Sequence, residues 1–202
     1  MRELIKEGKV LISGVEKCSL TPYQGKADAP GVWTIGWGHV IKANEKNLMK
    51  GITQAQADAI FARDLEEHTK NIQKDVGANV PLNDHVYAAF ASFAFNLGAD
   101  IFKSANSVVN FMRTGEPAKG ILNMYKFSNS GKPLVYKDGL FYRRLVEMVL
   151  ALDKQLVKKP DDCQEANALI VRLAKHGSVT EMRSFFHTKH VRSLCRLCSK
   201  KK

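Results

Sequence analysis

The amino-acid sequence predicts an α+β protein that is mainly helical, with a small sheet lobe and a larger helical lobe. Aromatic and β-branched residues, which favour short strands, are concentrated in residues 32–41. From residue 53 onwards, apolar residues recur at the spacing of amphipathic helices. The chain has 202 residues, of which 45% are hydrophobic, so it can bury a sizeable core and is not disordered throughout.

The sheet lobe is expected in the first third of the chain, after one short helix. That helix covers residues 3–15, where apolar and charged residues are mixed, and it ends near Glu16. Residues 22–51 are punctuated by glycine and proline and include the aromatic, β-branched stretch, so we expect short strands and turns there. No strand signal is visible after this region.

A long helix is expected to begin at Thr53, which forms a capping-box pattern with Gln56. Positions with helical spacing continue as far as Ile72, and they are apolar apart from Asp64 and His68. Because glycine ends helices readily, Gly77 is the predicted end of this helix.

The helical lobe is expected to follow. Asn83 is a good N-cap for a second strong helix, and Gly98 is a plausible C-cap for it. Shorter helices are predicted over residues 105–113, 117–127 and 138–152.

The composition excludes several classes of protein. The chain has 31 basic and 20 acidic residues and a formal net charge of +11, which suggests an anionic partner. Its apolar stretches are shorter than the roughly 18–20 residues of a membrane span. The first ten residues contain five charged side chains, so we expect no signal peptide and synthesis in a cytoplasm. Four cysteines are too few for a disulfide scaffold.

The charge is concentrated in a C-terminal extension. Residues 153–202 have a net charge of +7, which leaves +4 for the rest of the chain. The charged, proline-containing stretch 158–162 is typical of a linker. We therefore predict a main domain over residues 1–155 and a basic helical extension over residues 156–202.

Three side chains near the predicted sheet suggest hydrolysis of a glycosidic bond. Glu16 ends a helix, Asp28 lies in the loop that follows, and Thr34 begins the strand region. Glycoside hydrolysis needs one carboxylic acid to protonate the leaving oxygen and a second carboxylate for a water or the developing cation. With 20 acidic residues in the chain, solvated surface carboxylates are the alternative interpretation.

Four ordered blocks of residues resemble the phage-type lysozymes, which are glycoside hydrolase family 24. Glu16, Tyr23 seven positions later, and the Gly-x-x-Thr-Ile-Gly-x-Gly-His pattern of residues 31–39 are similar to the active-site segment of that family. Further similar blocks lie at residues 51–65, 89–98 and 139–147. Together the blocks span about residues 4–152, which makes the resemblance far more specific than any single motif.

The resemblance implies a lysozyme-like fold of two lobes joined by the long helix, and a muramidase that causes lysis of the bacterial wall. Such an enzyme cleaves the β-1,4 bond between N-acetylmuramic acid and N-acetylglucosamine in peptidoglycan, without a metal or another cofactor. Glu16 matches the general acid, Asp28 the second carboxylate and Thr34 the residue that holds the attacking water. We expect a monomer that reaches periplasmic peptidoglycan after release or export.

This chain departs from the family pattern at two places. Residues 24–27 lengthen the loop between Tyr23 and Asp28, which is a reason to expect some displacement of Asp28. Lys17 stands where the family usually has glycine, directly after Glu16.

The resemblance also implies supporting residues. His39 matches a histidine that pairs with the family's equivalent of Asp64, although imidazole is also a common catalytic proton carrier. Arg143 or Arg144 is expected to hold the Glu16 carboxylate, and a surface salt bridge is the alternative.

Other residues are expected to line the sugar cleft. Phe95, Asn96 and Ser107 match cleft positions of the family, although Phe95 alone would be interpreted as core. Trp33 and Trp37 are candidates for stacking on sugar rings, but tryptophan in a small sheet is more often core.

The family resemblance does not cover residues 156–202. Their amphipathic, basic segments favour binding to anionic wall or outer-membrane polymers over nucleic acid, with a DNA-binding helix-turn-helix or a plain packing extension as alternatives. The pattern His187, His190, Cys195 and Cys198 has zinc-ligand types, but its middle spacing is too short for a finger, so we predict no metal. A catalytically weak wall-binding or DNA-binding protein on a lysozyme scaffold is the rival function.

Overall fold

The computed structural model describes residues 2–25, 29–130 and 135–177, and the fold follows the predicted α+β plan. The α-helices in these residues are α1 (Lys6–Val15), α2 (Gln54–Thr69), α3 (Ile72–Val76), α4 (Asp84–Leu97), α5 (Ser107–Arg113), α6 (Pro117–Leu122), α7 (Asp138–Asp153) and α8 (Cys163–Leu173). The strands are β1 (Ser19–Tyr23), β2 (Thr34–Gly36), β3 (His39–Val40), β4 (Asn129–Ser130) and β5 (Val135–Tyr136). Short 3-10 helices lie at Lys46–Lys50, Ala99–Phe102, Asn123–Lys126 and Ala174–His176.

The sheet lobe consists of β1, β2 and β3, paired antiparallel in that order. Ile35 in β2 is fully buried and pairs with His39 in β3, so the strand pairing brings His39 to the side of the lobe that faces the rest of the protein. Gly38 in the turn between these strands has a φ of +100°, a conformation that residues with a side chain rarely adopt. Strands β2 and β3 lie in the predicted region, whereas β1 begins at Ser19, before the predicted start at residue 22.

The long helix α2 joins the lobes and begins as predicted. The side chain of Thr53 accepts from the N–H of Gln56, and the side chain of Gln56 accepts from the N–H of Thr53, so the capping box is present. The predicted end at Gly77 was wrong, because α2 ends at Thr69 and a separate short helix, α3, follows. The hydroxyl of Thr69 donates to the carbonyl of Leu65, a bond that competes with the helical ladder.

The helical lobe is centred on α4, which is almost completely buried between α1 and α7. Asn83 caps it as predicted by accepting from two backbone N–H groups, and Gly98 follows its end. Gly8 lets α1 approach α4 closely, because a Cβ at this position would lie 2.8 Å from the Cβ of Ala88. This close approach brings the end of α1 beside α7.

One feature of the helical lobe was not predicted. Strands β4 and β5 pair antiparallel and lie directly before α7, so the expectation of strands only in the first third of the chain was wrong. Each strand has two residues, which is too short for a period-two hydrophobic pattern to be recognised in the sequence.

Helix α8 packs against α7 and contributes to the core of the helical lobe. Asp162 caps its start, and Ala166, Ile170 and Leu173 on its inner face are fully buried or nearly so. Gly177 follows the last 3-10 helix. A boundary at residue 155 stays a prediction, and residues 178–202, including the histidine and cysteine pattern, lie outside the described residues.

An ion-pair cluster ties α8 to the end of α7. The side chain of Asp153 is only 1% exposed and pairs with Arg172, Lys175 and His176. Burial of the Asp153 carboxyl opposes its ionisation, but hydrogen bonds from Lys175, His176 and Arg172 dominate and lower its pKa to about 2. The cluster therefore stabilises the contact between α7 and α8 across the neutral pH range.

Candidate active site

Glu16 lies at the boundary between the two lobes. It follows the last residue of α1 with an extended backbone, and its N–H still donates to the carbonyl of Ile12. Its side chain is 24% exposed, and its Oε2 atom would lie 3.7 Å from a Cβ on Gly38. The carboxyl group therefore faces the turn between β2 and β3 and remains accessible to solvent.

A buried arginine holds the Glu16 carboxylate from the helical lobe. Arg143 in α7 donates to Glu16 Oε1, to the carbonyl of Ser92 at 3.0 Å and to Glu147 Oε1 at 3.1 Å. Its side chain is only 5% exposed. Of the two candidate arginines, Arg143 is therefore the one that contacts Glu16.

The neighbouring Arg144 points to the other side of α7. It donates to Asn96 Oδ1 at 3.0 Å and pairs with Glu147 at 2.8 Å, and its guanidinium lies over the ring of Phe93. Burial lowers the pKa of Arg144 to about 10, although the charge of Glu147 opposes this shift. Arg144 thus holds Asn96, a predicted cleft residue, rather than the candidate acid.

Glu147 is the shared partner of both arginines. Its side chain is fully buried and also accepts a hydrogen bond of 2.6 Å from the hydroxyl of Ser92. The carboxylate compensates two buried guanidinium charges in a region from which water is excluded. The position of Arg143, and through it that of Glu16, depends on this group.

His39 connects the sheet lobe to α2 and is not free to act as a proton carrier. Its Nδ1 is 2.7 Å from Asp64 Oδ2 and its Nε2 is 2.8 Å from Glu45 Oε2. Arg63 pairs with both carboxylates from the exposed side. The structure thus brings the predicted pair of His39 and Asp64 together, while Glu45 is a partner that the sequence did not indicate.

The two carboxylates shift the protonation of His39. The hydrogen bond to Asp64 raises the pKa of His39 above its ordinary value of 6.5, although burial opposes the shift, and Glu45 adds to it. Burial also opposes ionisation of Glu45, but the hydrogen bond from His39 lowers the pKa of Glu45. The folded protein therefore favours a protonated His39 between the two carboxylates more strongly than the unfolded chain does.

This cluster predicts how stability depends on pH. A raised histidine pKa stabilises the fold fully below the unfolded value of 6.5, and this contribution is lost as pH rises through the folded pKa. We expect the Tm of the wild type to fall between about pH 6 and pH 8 more steeply than that of His39→Asn. Thermal melts at several pH values measure this difference. His85→Asn is the control, and equal slopes for wild type and His39→Asn would contradict the prediction.

A cleft of about 430 Å³ lies between the sheet lobe and the helical lobe. Its lining residues are Gly38, His39, Val40, Lys42, Asp64, Glu67, His68, Phe95, Asn96 and Gly98. Phe95 and Asn96 are among these residues, and their contact with sugar stays a prediction. Ser107 begins α5 and is half-buried, but it is not part of this lining.

His68 is a cleft residue that sequence reasoning missed. It lies one helical turn after Asp64 on α2, and its Nδ1–H donates to the Asp64 carbonyl at 2.7 Å. Its ring packs against Phe95 with the ring centroids 5.3 Å apart. Its position one turn after Asp64 was the available signal, because residues four apart lie on one helix face.

The two tryptophans occupy different surroundings. Trp37 donates to Asp58 Oδ1 at 2.9 Å and packs against Phe61 of α2, which in turn contacts Phe95. Trp33 is half-buried, and its carbonyl accepts from the N–H of Ile41. Trp37 therefore belongs to an aromatic row that links the sheet lobe to the cleft.

Of the two remaining predicted catalytic residues, the structure describes Thr34 but not Asp28. Thr34 begins β2, is 7% exposed and lies opposite Tyr23 and Val40 in the sheet. Asp28 lies outside the described residues. Within the ranges that the structure covers, no group of three or more histidine, cysteine, aspartate or glutamate side chains is arranged to hold a metal ion.

Comparison with known proteins identifies the family. The model of the phage lysozyme family matches residues 13–147, which is most of the chain. This chain belongs to the phage lysozyme family. The match contains Glu16, His39, Asp64 and the two arginines, whereas α8 lies beyond it. No curated protein sequence matches significantly.

Solved structures of similar fold include phage lysozymes and a bacterial muramidase domain. The endolysin of Escherichia coli O157:H7 phage FAHEc1 has a TM-score of 0.67 at 24% identity, over 78% of this chain and 98% of that chain. The muramidase domain of SpmX from Asticaccaulis excentricus has a TM-score of 0.63 at 25% identity, over 75% of this chain and 99% of that chain. A P22 lysozyme mutant has a TM-score of 0.60 at 26% identity, over 75% of this chain and 99% of that chain.

As a phage lysozyme, the protein is a lysozyme-type hydrolase that acts on peptidoglycan. Among the described residues, no helix is both long and apolar enough to span a membrane. The family match ends at residue 147 within α7, so it includes neither the last residues of α7 nor α8.

Proposed function

We propose that this lysozyme is a muramidase that cleaves the β-1,4 bond between N-acetylmuramic acid and N-acetylglucosamine, with Glu16 as the general acid. The observation that carries the proposal is the placement of the Glu16 carboxyl group. It is partly exposed at the boundary between the lobes, and the buried Arg143 fixes its orientation. A general acid must reach the leaving oxygen in a defined orientation, and this arrangement meets that need.

The proposed reaction uses two carboxyl groups and a hydroxyl. Glu16 protonates the oxygen of the leaving sugar as the glycosidic bond breaks, and its carboxylate is then stabilised by Arg143. Asp28 is proposed as the second carboxylate, which acts on a water or on the developing cation. Thr34 is proposed to hold the attacking water from the start of β2.

The sugar chain is proposed to bind along the cleft between the lobes. Phe95 and Asn96 line it, and the guanidinium of Arg144 holds the Asn96 side chain in place. An apolar ring beside an oriented amide suits an acetylated sugar, which has apolar ring faces and a polar amide group. Ser107 is proposed as a more distant contact at the start of α5.

Analysis of the products tests the proposed bond. Purified peptidoglycan is digested, the new reducing ends are reduced with borohydride, and the reduced sugars are identified by mass spectrometry. A muramidase leaves reduced muramic acid. New reducing ends on N-acetylglucosamine, or new free amino groups without new reducing ends, would contradict the proposal.

We also propose that residues 156–202 add affinity for anionic wall or outer-membrane polymers, because this segment has a net charge of +7. Truncation after residue 177 tests this without removing α8, whose inner face is part of the core. We expect the truncated protein to bind whole cells more weakly at low salt but to hydrolyse soluble wall fragments at the wild-type rate. Unchanged binding at low salt would contradict this proposal.

A further inference from the structure

Glu45 lies in the loop after β3, and its carboxylate connects this loop to other parts of the structure. Its side chain is 16% exposed. Its Oε2 atom accepts from the backbone N–H of Lys42 at 3.1 Å and lies 2.8 Å from His39 Nε2. Its Oε1 atom is 3.1 Å from Arg63 Nη1 on α2. One carboxylate thus holds a strand residue, the backbone of a loop and a helix.

Asp64 completes a closed ring of four side chains between the sheet lobe and α2. Its Oδ2 atom is 2.7 Å from His39 Nδ1, and its Oδ1 atom is 3.3 Å from Arg63 Nη2. His39 and Arg63 are therefore each held by two carboxylates, and each carboxylate holds both of them. A single ion pair at a surface can slide or rotate, whereas a ring in which every member has two partners restricts these movements. The ring therefore fixes the loop after β3 against α2.

The segment that Glu45 holds is one wall of the cleft. Gly38, His39, Val40 and Lys42 line the cleft from the sheet lobe, whereas the other lining residues belong to α2, to α4 and to the glycine that follows α4. Strand β3 has only two residues and lies at the edge of the three-stranded sheet, so its backbone is paired on one side only. The strand ladder alone gives this wall little support, and the ring supplies a further attachment.

We propose that Glu45 is a positioning residue for substrate binding, which keeps the wall formed by residues 38–42 in the place that the sugar chain requires. The inference rests on the proposed binding of the sugar chain along this cleft. Glu45 is not among the residues that line the cleft, so it acts through His39 and through the backbone of Lys42. The sequence motifs indicated His39 as a residue of the site, but not Glu45.

Positioning of the wall differs in its kinetic effect from stabilisation of the fold. If the wall occupies the binding arrangement only part of the time, the apparent affinity falls by that fraction, because binding must also order the wall. In the bound complex the wall is in place, and Arg143 of the helical lobe still holds Glu16. Loss of Glu45 should therefore raise KM and leave kcat nearly unchanged. A contact that only stabilises the fold would lower the Tm and change neither constant for the folded protein.

The test compares Glu45→Ala and Glu45→Gln with Asp153→Asn. Glu45→Ala removes all three contacts of the carboxylate, whereas Glu45→Gln keeps an oxygen that can accept from His39 and from Lys42. Asp153→Asn is the matched control, because Asp153 is also a carboxylate with several basic partners but lies between α7 and α8. We measure kcat and KM on soluble wall fragments below the onset of unfolding, which thermal melts establish for each variant.

We expect KM to be about tenfold higher for Glu45→Ala and about threefold higher for Glu45→Gln, with kcat within about twofold of the wild type in both. Asp153→Asn should lower the Tm and keep both constants. A folded Glu45→Gln with the wild-type KM would overturn the inference, as would an equal rise of KM in Asp153→Asn or a fall of kcat without a rise of KM. If Glu45→Ala does not fold, Glu45→Gln decides the outcome alone.

This inference and the proposed bond specificity fail in different ways. If wild-type digests leave reduced muramic acid and both Glu45 variants keep the wild-type KM, only this inference fails. If the digests leave no reduced muramic acid while the Glu45 variants raise KM on wall fragments as expected, the proposed bond specificity fails and the role of Glu45 in binding stands.

Discussion

Replacement of Glu147 by glutamine should lower the free energy of unfolding by about 3–5 kcal/mol. The Glu147 carboxylate is fully buried and pairs with Arg143 and Arg144, both of which are also buried. An amide of the same shape would leave Arg144 without a compensating charge in the interior, and Arg143 with the partly exposed Glu16 carboxylate as its one remaining ion-pair partner among the described residues. Removing one partner of a buried ion cluster costs much more than the intact cluster contributes, because the remaining charges stay desolvated.

Urea denaturation near neutral pH measures this loss of stability. The control is Glu66→Gln, which makes the same chemical change at an exposed position on α2 and should alter stability by less than about 0.5 kcal/mol. A loss below about 1 kcal/mol for Glu147→Gln would show that the buried arginines do not depend on this carboxylate. Activity of the folded fraction should also fall, since Arg143 would lose one of its supports.

Replacement of Glu16 by glutamine should lower kcat by about 10³-fold while the protein remains folded. The amide oxygen can still accept from Arg143, so the local structure should persist. It has no acidic proton, however, and cannot protonate the leaving oxygen. The release of reducing sugars from peptidoglycan measures the rate, and thermal melts establish that the variant is folded.

The control for this experiment is again Glu66→Gln, which should keep the wild-type rate. A folded Glu16→Gln that retains a tenth or more of the wild-type rate would contradict the role of Glu16 as the acid. Asp28→Asn in the same assay tests the second proposed carboxylate. If Glu16→Gln is inactive and Asp28→Asn is fully active, the second carboxylate must be sought elsewhere.

Local signals in the sequence predicted the positions of most helices. The capping box of Thr53 and Gln56 and the N-cap of Asn83 depend on residues within one turn, so they could be recognised from the sequence alone. The end of α2 could not be recognised from the sequence. The hydroxyl of Thr69 competes with the backbone there, although the apolar helical pattern continues as far as Ile72. The two-residue strands β4 and β5 offered no pattern at all.

The candidate site was also predictable only in part from the sequence. The ordered motifs of the family indicated Glu16, Thr34 and the pair of His39 and Asp64 as candidates. Tertiary contacts outside these motifs decided what surrounds them. Glu45 reaches His39 from the loop after β3, and His68 reaches the cleft through its contact with Phe95.

The sequence by itself determined the family, the α+β plan and the order of the main helices. Only the tertiary structure decided which arginine holds Glu16. Arg143 and Arg144 are adjacent on one helix, and both lie within one turn of Glu147, so their spacing in the sequence is equivalent. They point in directions about 100° apart around α7. The packing of α1 and α4 against α7 places Glu16 on one side and Asn96 on the other, and that packing depends on long-range contacts that no local pattern contains.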